Sequence, residues 1–146
     1  MLTKDGPKVL EFNARFGDPE TQSYMRLLKT DLLDIMFACI EKRLKDITIE
    51  WEENCSACCI VLASQGYPGE YPKGLLIQGI TEAEETEDVI VFHAGTKKLD
   101  TTLVTNGGRV LGVSAVSDTL SHALHNAYTA VEKIHFNGKQ FRKDIA

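Results

Sequence analysis

The densest grouping of chemically able side chains is Glu11-Phe12-Asn13-Ala14-Arg15-Phe16-Gly17-Asp18-Pro19-Glu20. On an extended backbone, residues two apart share a face, so Glu11, Asn13 and Arg15 point one way while Leu10, Phe12 and Ala14 point the other. A carboxylate and an amide oxygen at that spacing are hard ligands, suited to Mg²⁺, which takes a few protein oxygens and completes its shell with water and phosphates. The planar fork of Arg15 suits a carboxylate or phosphate. Gly17 permits close backbone approach, and the helix start at Asp18 aims unpaired N–H groups the same way. The same alternation also fits a strand with one solvated face, and Asp18 also fits a simple helix cap.

The elements that must position these groups are readable from periodicity. Residues 1–3, a Lys4-Asp5-Gly6-Pro7 turn and residues 8–13 form a hairpin pattern; its first strand is a stub whose sheet is expected upstream of Met1. Asp18-Pro19-Glu20-Thr21 opens a helix to about Lys29. A second helix starts at Thr30-Asp31, with Leu32, Ile35, Met36, Cys39, Ile40 and Leu44 as its apolar stripe. Residues 55–63 read as a buried strand closed by Gly66-Tyr67-Pro68-Gly69. Short strands over 75–80, 88–93, 103–105 and 109–115 follow in the spacing of an antiparallel meander, with 82–88 as a solvated connection. A helix over 118–134, capped by Ser117 or Asp118, carries Leu120, Ala123, Leu124, Ala127, Tyr128, Val131 and Ile134 on one face. Strands covered by a helix give an α+β module.

Composition excludes several classes. The 146 residues suit one domain or slightly more, and 43% hydrophobic with 25% charged residues is a globular balance. Sixteen Lys and Arg against 21 Asp and Glu give a net charge of −5, the wrong sign for a nucleic-acid binder. No apolar run approaches the ~20 residues of a membrane span, and the N-terminus has no signal-peptide core. Cytoplasmic location and free thiols are the expectation for Cys39, Cys55, Cys58 and Cys59.

Other residues invite chemistry and have simpler readings. Cys55-Ser56-Ala57-Cys58 is a C-x-x-C without a second ligand pair, so core packing is expected of these thiols. His122 and His125 lie three apart on the last helix with no ligand partner at fixed spacing, and read as surface histidines. His93 ends a strand before Ala94-Gly95-Thr96, where it either faces a site or is satisfied by backbone. Gly107-Gly108-Arg109 reads as a flexible hairpin turn bearing an exposed Arg.

The string Val9-Leu10-Glu11-Phe12-Asn13-Ala14-Arg15-Phe16-Gly17-Asp18-Pro19-Glu20-Thr21-Gln22 closely resembles the signature of the phosphoribosylamine–glycine ligases, ATP-grasp enzymes of purine synthesis. Gly66-Tyr67-Pro68-Gly69-Glu70-Tyr71-Pro72-Lys73-Gly74, Phe92-His93-Ala94-Gly95-Thr96, Gly107-Gly108-Arg109-Val110-Leu111 and Phe141-Arg142-Lys143-Asp144-Ile145 resemble further motifs of that family, in its order. Ala14 and Ala146 depart from the usual pattern, at positions that are not proposed ligands.

The resemblance covers the whole chain but only the C-terminal third or so of such a ligase. It implies the end of an ATP-grasp domain over 1–46, followed over 47–146 by a small barrel-like antiparallel module with a covering helix. It implies Mg²⁺ or Mn²⁺ on Glu11 and Asn13 beside ATP, and Arg15 and Asp18 contacting the carboxylate and amine of glycine. Its implied partners are ATP, glycine, 5-phosphoribosylamine and the missing N-terminal part of the same ligase, without which this chain is inactive. Arg109 would then lie near ligand phosphates or bridge to a carboxylate of the neighbouring domain. Two rival readings are a stand-alone interaction module without catalysis and a carboxylating ATP-grasp enzyme.

Overall fold

A computed structural model describes residues 1–145. The hairpin at the start pairs β1 (Leu2–Thr3) with β2 (Gly6–Pro7), and Lys8 N–H closes it on the Met1 carbonyl at 2.9 Å. The expected strand over 8–13 does not form. An alternating segment becomes a strand only where a neighbour supplies hydrogen-bond partners, and none does so here among the described residues. Its apolar face is bare, with Phe12 87% exposed.

Helix α1 (Glu20–Leu27) starts one residue later than expected: Pro19 is its N-cap rather than its first residue, and Glu20 is the first-turn acid. Helix α2 (Leu32–Ile40) is capped by Asp31, whose carboxylate accepts from Leu33 N–H at 2.7 Å. It stops before the expected Leu44, because Lys42 turns to φ 57° and Leu44 falls in a separate 3₁₀ turn. The expected stripe is not buried. Of its residues, Leu32 and Ile35 are half-buried and Met36, Cys39, Ile40 and Leu44 exposed; outside it, Ala38 is buried and Leu33 and Phe37 are exposed.

The core is a three-stranded antiparallel sheet in the order β3 (Ser56–Ala63), β7 (Arg109–Ser117), β4 (Val89–His93). The order departs from the expected meander, since the last strand sits between the two earlier ones. Alternation sorts its faces: Cys58, Ile60 and Leu62 lie opposite Ala115, Val113 and Leu111 and point into the core. Helix α4 (Leu120–Lys133) covers that face with Ala123, Ala127, Ala130 and Val131, small residues that let helix and sheet approach closely. Its cap is Thr119 rather than Ser117 or Asp118. Helix α1 covers the opposite face, over Cys59 and Gly112.

The connection over 82–88 is not simply solvated. Helix α3 (Ile80–Glu84) forms there, with Ala83 fully buried. The expected strand over 75–80 is reduced to isolated bridges from Leu76 to Val104 and Gln78 to His135. A ladder of β5 (Thr96–Leu99) with β6 (Thr102–Thr105) stands beside the sheet. Thr-Lys-Lys-Leu lacks an apolar alternation that would have marked β5 in advance. Among the described residues the ladder and sheet do not close into a barrel, so of the expected barrel-like α+β module the mixed helix-and-sheet class is what is seen.

Gly79 precedes α3 at φ 83°, and a Cβ there would run into the Lys133 carbonyl. Gly79→Ala should therefore lower the unfolding free energy by about 1–3 kcal/mol from backbone strain alone, read as a shifted urea midpoint.

Candidate functional site

Asn13, Arg15, Phe16, Gly17, Glu20 and Tyr24 line one cleft of about 510 Å³. The extended segment before α1 supplies the first three, and the helix start supplies Glu20 and Tyr24. Arg15 Nη1 donates to the Phe16 carbonyl at 3.0 Å, which leaves its other donors free toward the cleft. Glu11 is exposed two residues upstream and is not part of the lining.

Asp18 is not a cap, since α1 has no side-chain cap. Its Oδ1 accepts from Gln22 Nε2 at 3.0 Å, and its Oδ2 lies 3.4 Å from Arg109 Nη2. Arg109 Nη1 also donates to the Asp18 main-chain carbonyl at 2.7 Å. Arg109 is thus no loose hairpin arginine; it bridges to a carboxylate of the preceding segment. Thr21 Oγ1 donates to the Gly17 carbonyl at 2.5 Å, which tightens the same turn.

A second, smaller cleft of about 350 Å³ lies across Gly17, lined by Gly17, Thr21, Gln22, Met25, Phe92 and His93. His93 is therefore brought to the loop that follows Arg15, while its Nδ1 lies 3.1 Å from Thr96 Oγ1. His93 thus lies by the site loop, and its ring partner is the Thr96 side chain, not the backbone that the other reading expected.

The thiols behave as packing groups in part. Cys58 is buried and Cys59 half-buried, and burial pushes the Cys59 thiol up to about 12, with Cys58 and Asp18 adding to the effect. Cys39 and Cys55 are exposed, contrary to the packing expectation for Cys55. His122 is a surface histidine, but it does have an acidic partner: Asp118 Oδ1 lies 3.0 Å from its Nδ1, and that contact holds the Asp118 carboxyl below the usual range.

Among the described residues, no group of three or more His, Cys, Asp and Glu could hold a metal by itself. Glu11 and Asn13 carry hard oxygens of the kind Mg²⁺ takes, but only Asn13 lines the cleft, and two such groups are too few for a closed cage. Among the described residues, no helix is long and apolar enough to cross a membrane.

Reading from residue types missed Gln22 and Tyr24 as parts of the site, and gave Glu20, which it included, no role beyond the first-turn acid. Helical spacing could have found Gln22, four residues from Asp18 on one face.

Comparison with known proteins gives a consistent picture. Residues 57–146 match the family model described as phosphoribosylglycinamide synthetase, C domain. The chain is 54% identical over 146 residues to a phosphoribosylamine–glycine ligase of Caldanaerobacter subterraneus subsp. tengcongensis, covering 100% of this chain and 34% of that protein. It is 54% identical over 145 residues to a trifunctional purine biosynthetic protein adenosine-3 of Gallus gallus, covering 99% of this chain and 14% of that protein. The crystal structure of a phosphoribosylamine–glycine ligase of Thermotoga maritima superposes with a TM-score of 0.75 at 36% identity, over 100% of this chain and 35% of that one. The chain spans about a third of the length of the single-activity ligases it matches.

Proposed function

The chain belongs to the phosphoribosylglycinamide synthetase, or phosphoribosylamine–glycine ligase, family, and we propose that it supplies the C-terminal third of an ATP-dependent, cytoplasmic ligase. That enzyme joins glycine to 5-phosphoribosylamine, giving glycinamide ribonucleotide, ADP and phosphate. The observation that carries this reading is the single cleft in which Asn13 and Arg15 meet the start of α1. A carbon–nitrogen ligase of this kind needs a carboxylate held against a nucleotide's terminal phosphoryl group, so placing charges and reactants is most of its task.

In this reading Arg15 receives the glycine carboxylate in its planar fork and presents an oxygen to the phosphoryl group. Asp18 keeps acceptor capacity beyond its bonds to Gln22 and Arg109, and directs it at the glycine ammonium. The Glu11 and Asn13 oxygens would hold Mg²⁺ or Mn²⁺ together with ATP phosphate oxygens. A divalent ion there would offset the negative charge of the phosphates. Phosphoribosylamine then displaces phosphate from the activated carboxyl, and no covalent bond to the protein is needed.

The exposed apolar residues of residues 8–13 and α2 support this division of labour. Phe12, Leu33, Phe37 and Ile40 form surface that the rest of the ATP-grasp body would bury, and residues 1–46 would then be the end of that body. The rival carboxylating enzyme uses bicarbonate where this one uses glycine, and the non-catalytic module uses neither. Relatives named as glycine ligases favour the first reading over both.

An assay of ADP release with ATP, glycine and phosphoribosylamine tests the proposal. The 146-residue chain should show no turnover, and the full-length protein should turn over with glycine and not with bicarbonate. Turnover by the chain alone would overturn the shared-site reading, and a full-length protein inert to glycine would overturn the ligase reading.

A further inference from the structure

We propose that Arg109 is a positioning residue of the glycine site: mounted on the C-terminal module, it clasps Asp18 and so holds the turn that follows Arg15 in its receiving conformation. This rests on the ligase reading above. Arg109 opens β7 and reaches a residue 91 positions earlier in the chain. One guanidinium nitrogen takes the Asp18 main-chain carbonyl and the other faces its carboxylate, so backbone and side chain of the turn are fixed together. A lysine ammonium cannot span both with a planar fork.

The mount is elaborate. The Gly95 N–H donates to the Arg109 carbonyl at 2.8 Å, and a Cβ on Gly95 would lie 2.5 Å from that carbonyl and 2.6 Å from the Gly107 Cα. A Cβ on Gly108 would enter the Tyr67 ring. Ser64, fully buried, donates its hydroxyl to the Gly107 carbonyl at 2.8 Å, and its N–H donates to the Gly108 carbonyl at 2.8 Å. Three separate stretches of chain, 64–71, 93–96 and 107–109, thus converge on the backbone from which this one guanidinium projects.

Stability does not account for such a mount. The pair it presents is exposed, with side chains 40% and 43% accessible, and exposed ion pairs add little to folding. The clasp also carries a cost: Gln22, which donates to the other oxygen of Asp18, keeps its own Oε1 buried without a partner. A surface pair held by a rigid mount, with an unsatisfied amide behind it, fits a group kept in place for the geometry of its neighbours.

The test compares Arg109→Ala and Arg109→Lys in the full-length protein. Arg109→Ala should raise the glycine KM on the order of ten- to a hundredfold, as misplacement of a binding turn does, while the ATP KM and the melting temperature stay unchanged. Arg109→Lys should recover only part of the loss, since an ammonium cannot hold the Asp18 carbonyl and carboxylate together. In the 146-residue chain, Arg109→Ala should speed amide exchange at Thr21 and Gln22. An active wild type with an unchanged glycine KM in Arg109→Ala would overturn the proposal. If the wild type makes no glycinamide ribonucleotide, the ligase reading falls instead. Exchange at Thr21 and Gln22 then decides the clasp alone: unchanged exchange overturns it. Should Arg109→Ala not fold, Arg109→Lys must raise the glycine KM by itself, and an unchanged value overturns the clasp.

Discussion

Asn13→Ala in the full-length ligase should lower turnover about 10²- to 10³-fold, and Glu11→Ala should do the same, the loss typical of removing one preorganised charge-stabilising group. The argument is one of ligand number. In the proposed reading the ion has two protein ligands, Glu11 and Asn13, so losing either leaves it held mainly by phosphate and water. Raising Mg²⁺ or Mn²⁺ should then restore part of the rate by mass action. Both side chains are exposed, so neither change removes core contacts, and the melting temperature should not move. Steady-state ADP release across a metal titration reads the effect. Rates equal to wild type at every metal concentration would remove Glu11 and Asn13 from the mechanism.

Leu62→Ala should cost about 2–5 kcal/mol of folding free energy in the 146-residue chain, against a total of roughly 5–15 kcal/mol for a domain of ordinary stability. Leu62 is fully buried, lies opposite Leu111 in the β3–β7 register, and sits in the cluster that α4 closes with Val131 and Ile134. Truncation removes its transfer free energy and leaves a void that backbone paired on β7 cannot collapse to fill. Leu33→Ala, on the uncovered face of α2, is the control and should change little. Denaturant midpoints measure both. A small shift for Leu62→Ala would mean that the sheet and α4 do not pack as described.

What could be read in advance divides by distance along the chain. Helix α4, β3 and the start of α1 were legible because each is announced by its own residues: a helical stripe, a run of β-branched and small residues, a proline followed by an acid. Asn13 and Arg15 were legible as neighbours because two-residue spacing on extended backbone puts them together wherever the segment lies. The Arg109–Asp18 clasp was not, since nothing local reports a pairing across 91 residues; the nearest signal was the glycines at 95, 107 and 108, which mark close approach without saying of what. Helix α3 was hidden because Glu82, Glu84, Glu85 and Glu87 read as solvent, while a single buried Ala83 anchors it. The stripe of α2 was read correctly as apolar, but burial needs a covering surface, and among the described residues none covers Met36, Ile40 and Leu44. The strand expected over 8–13 failed for the same reason.

The most direct test of the account is to measure Mn²⁺ retained by the full-length protein with a non-hydrolysable ATP analogue, by electron paramagnetic resonance, in wild type and in Glu11→Ala/Asn13→Ala. The account predicts that the double variant binds the nucleotide yet loses tightly held Mn²⁺. Equal retention of the ion in both proteins would contradict it.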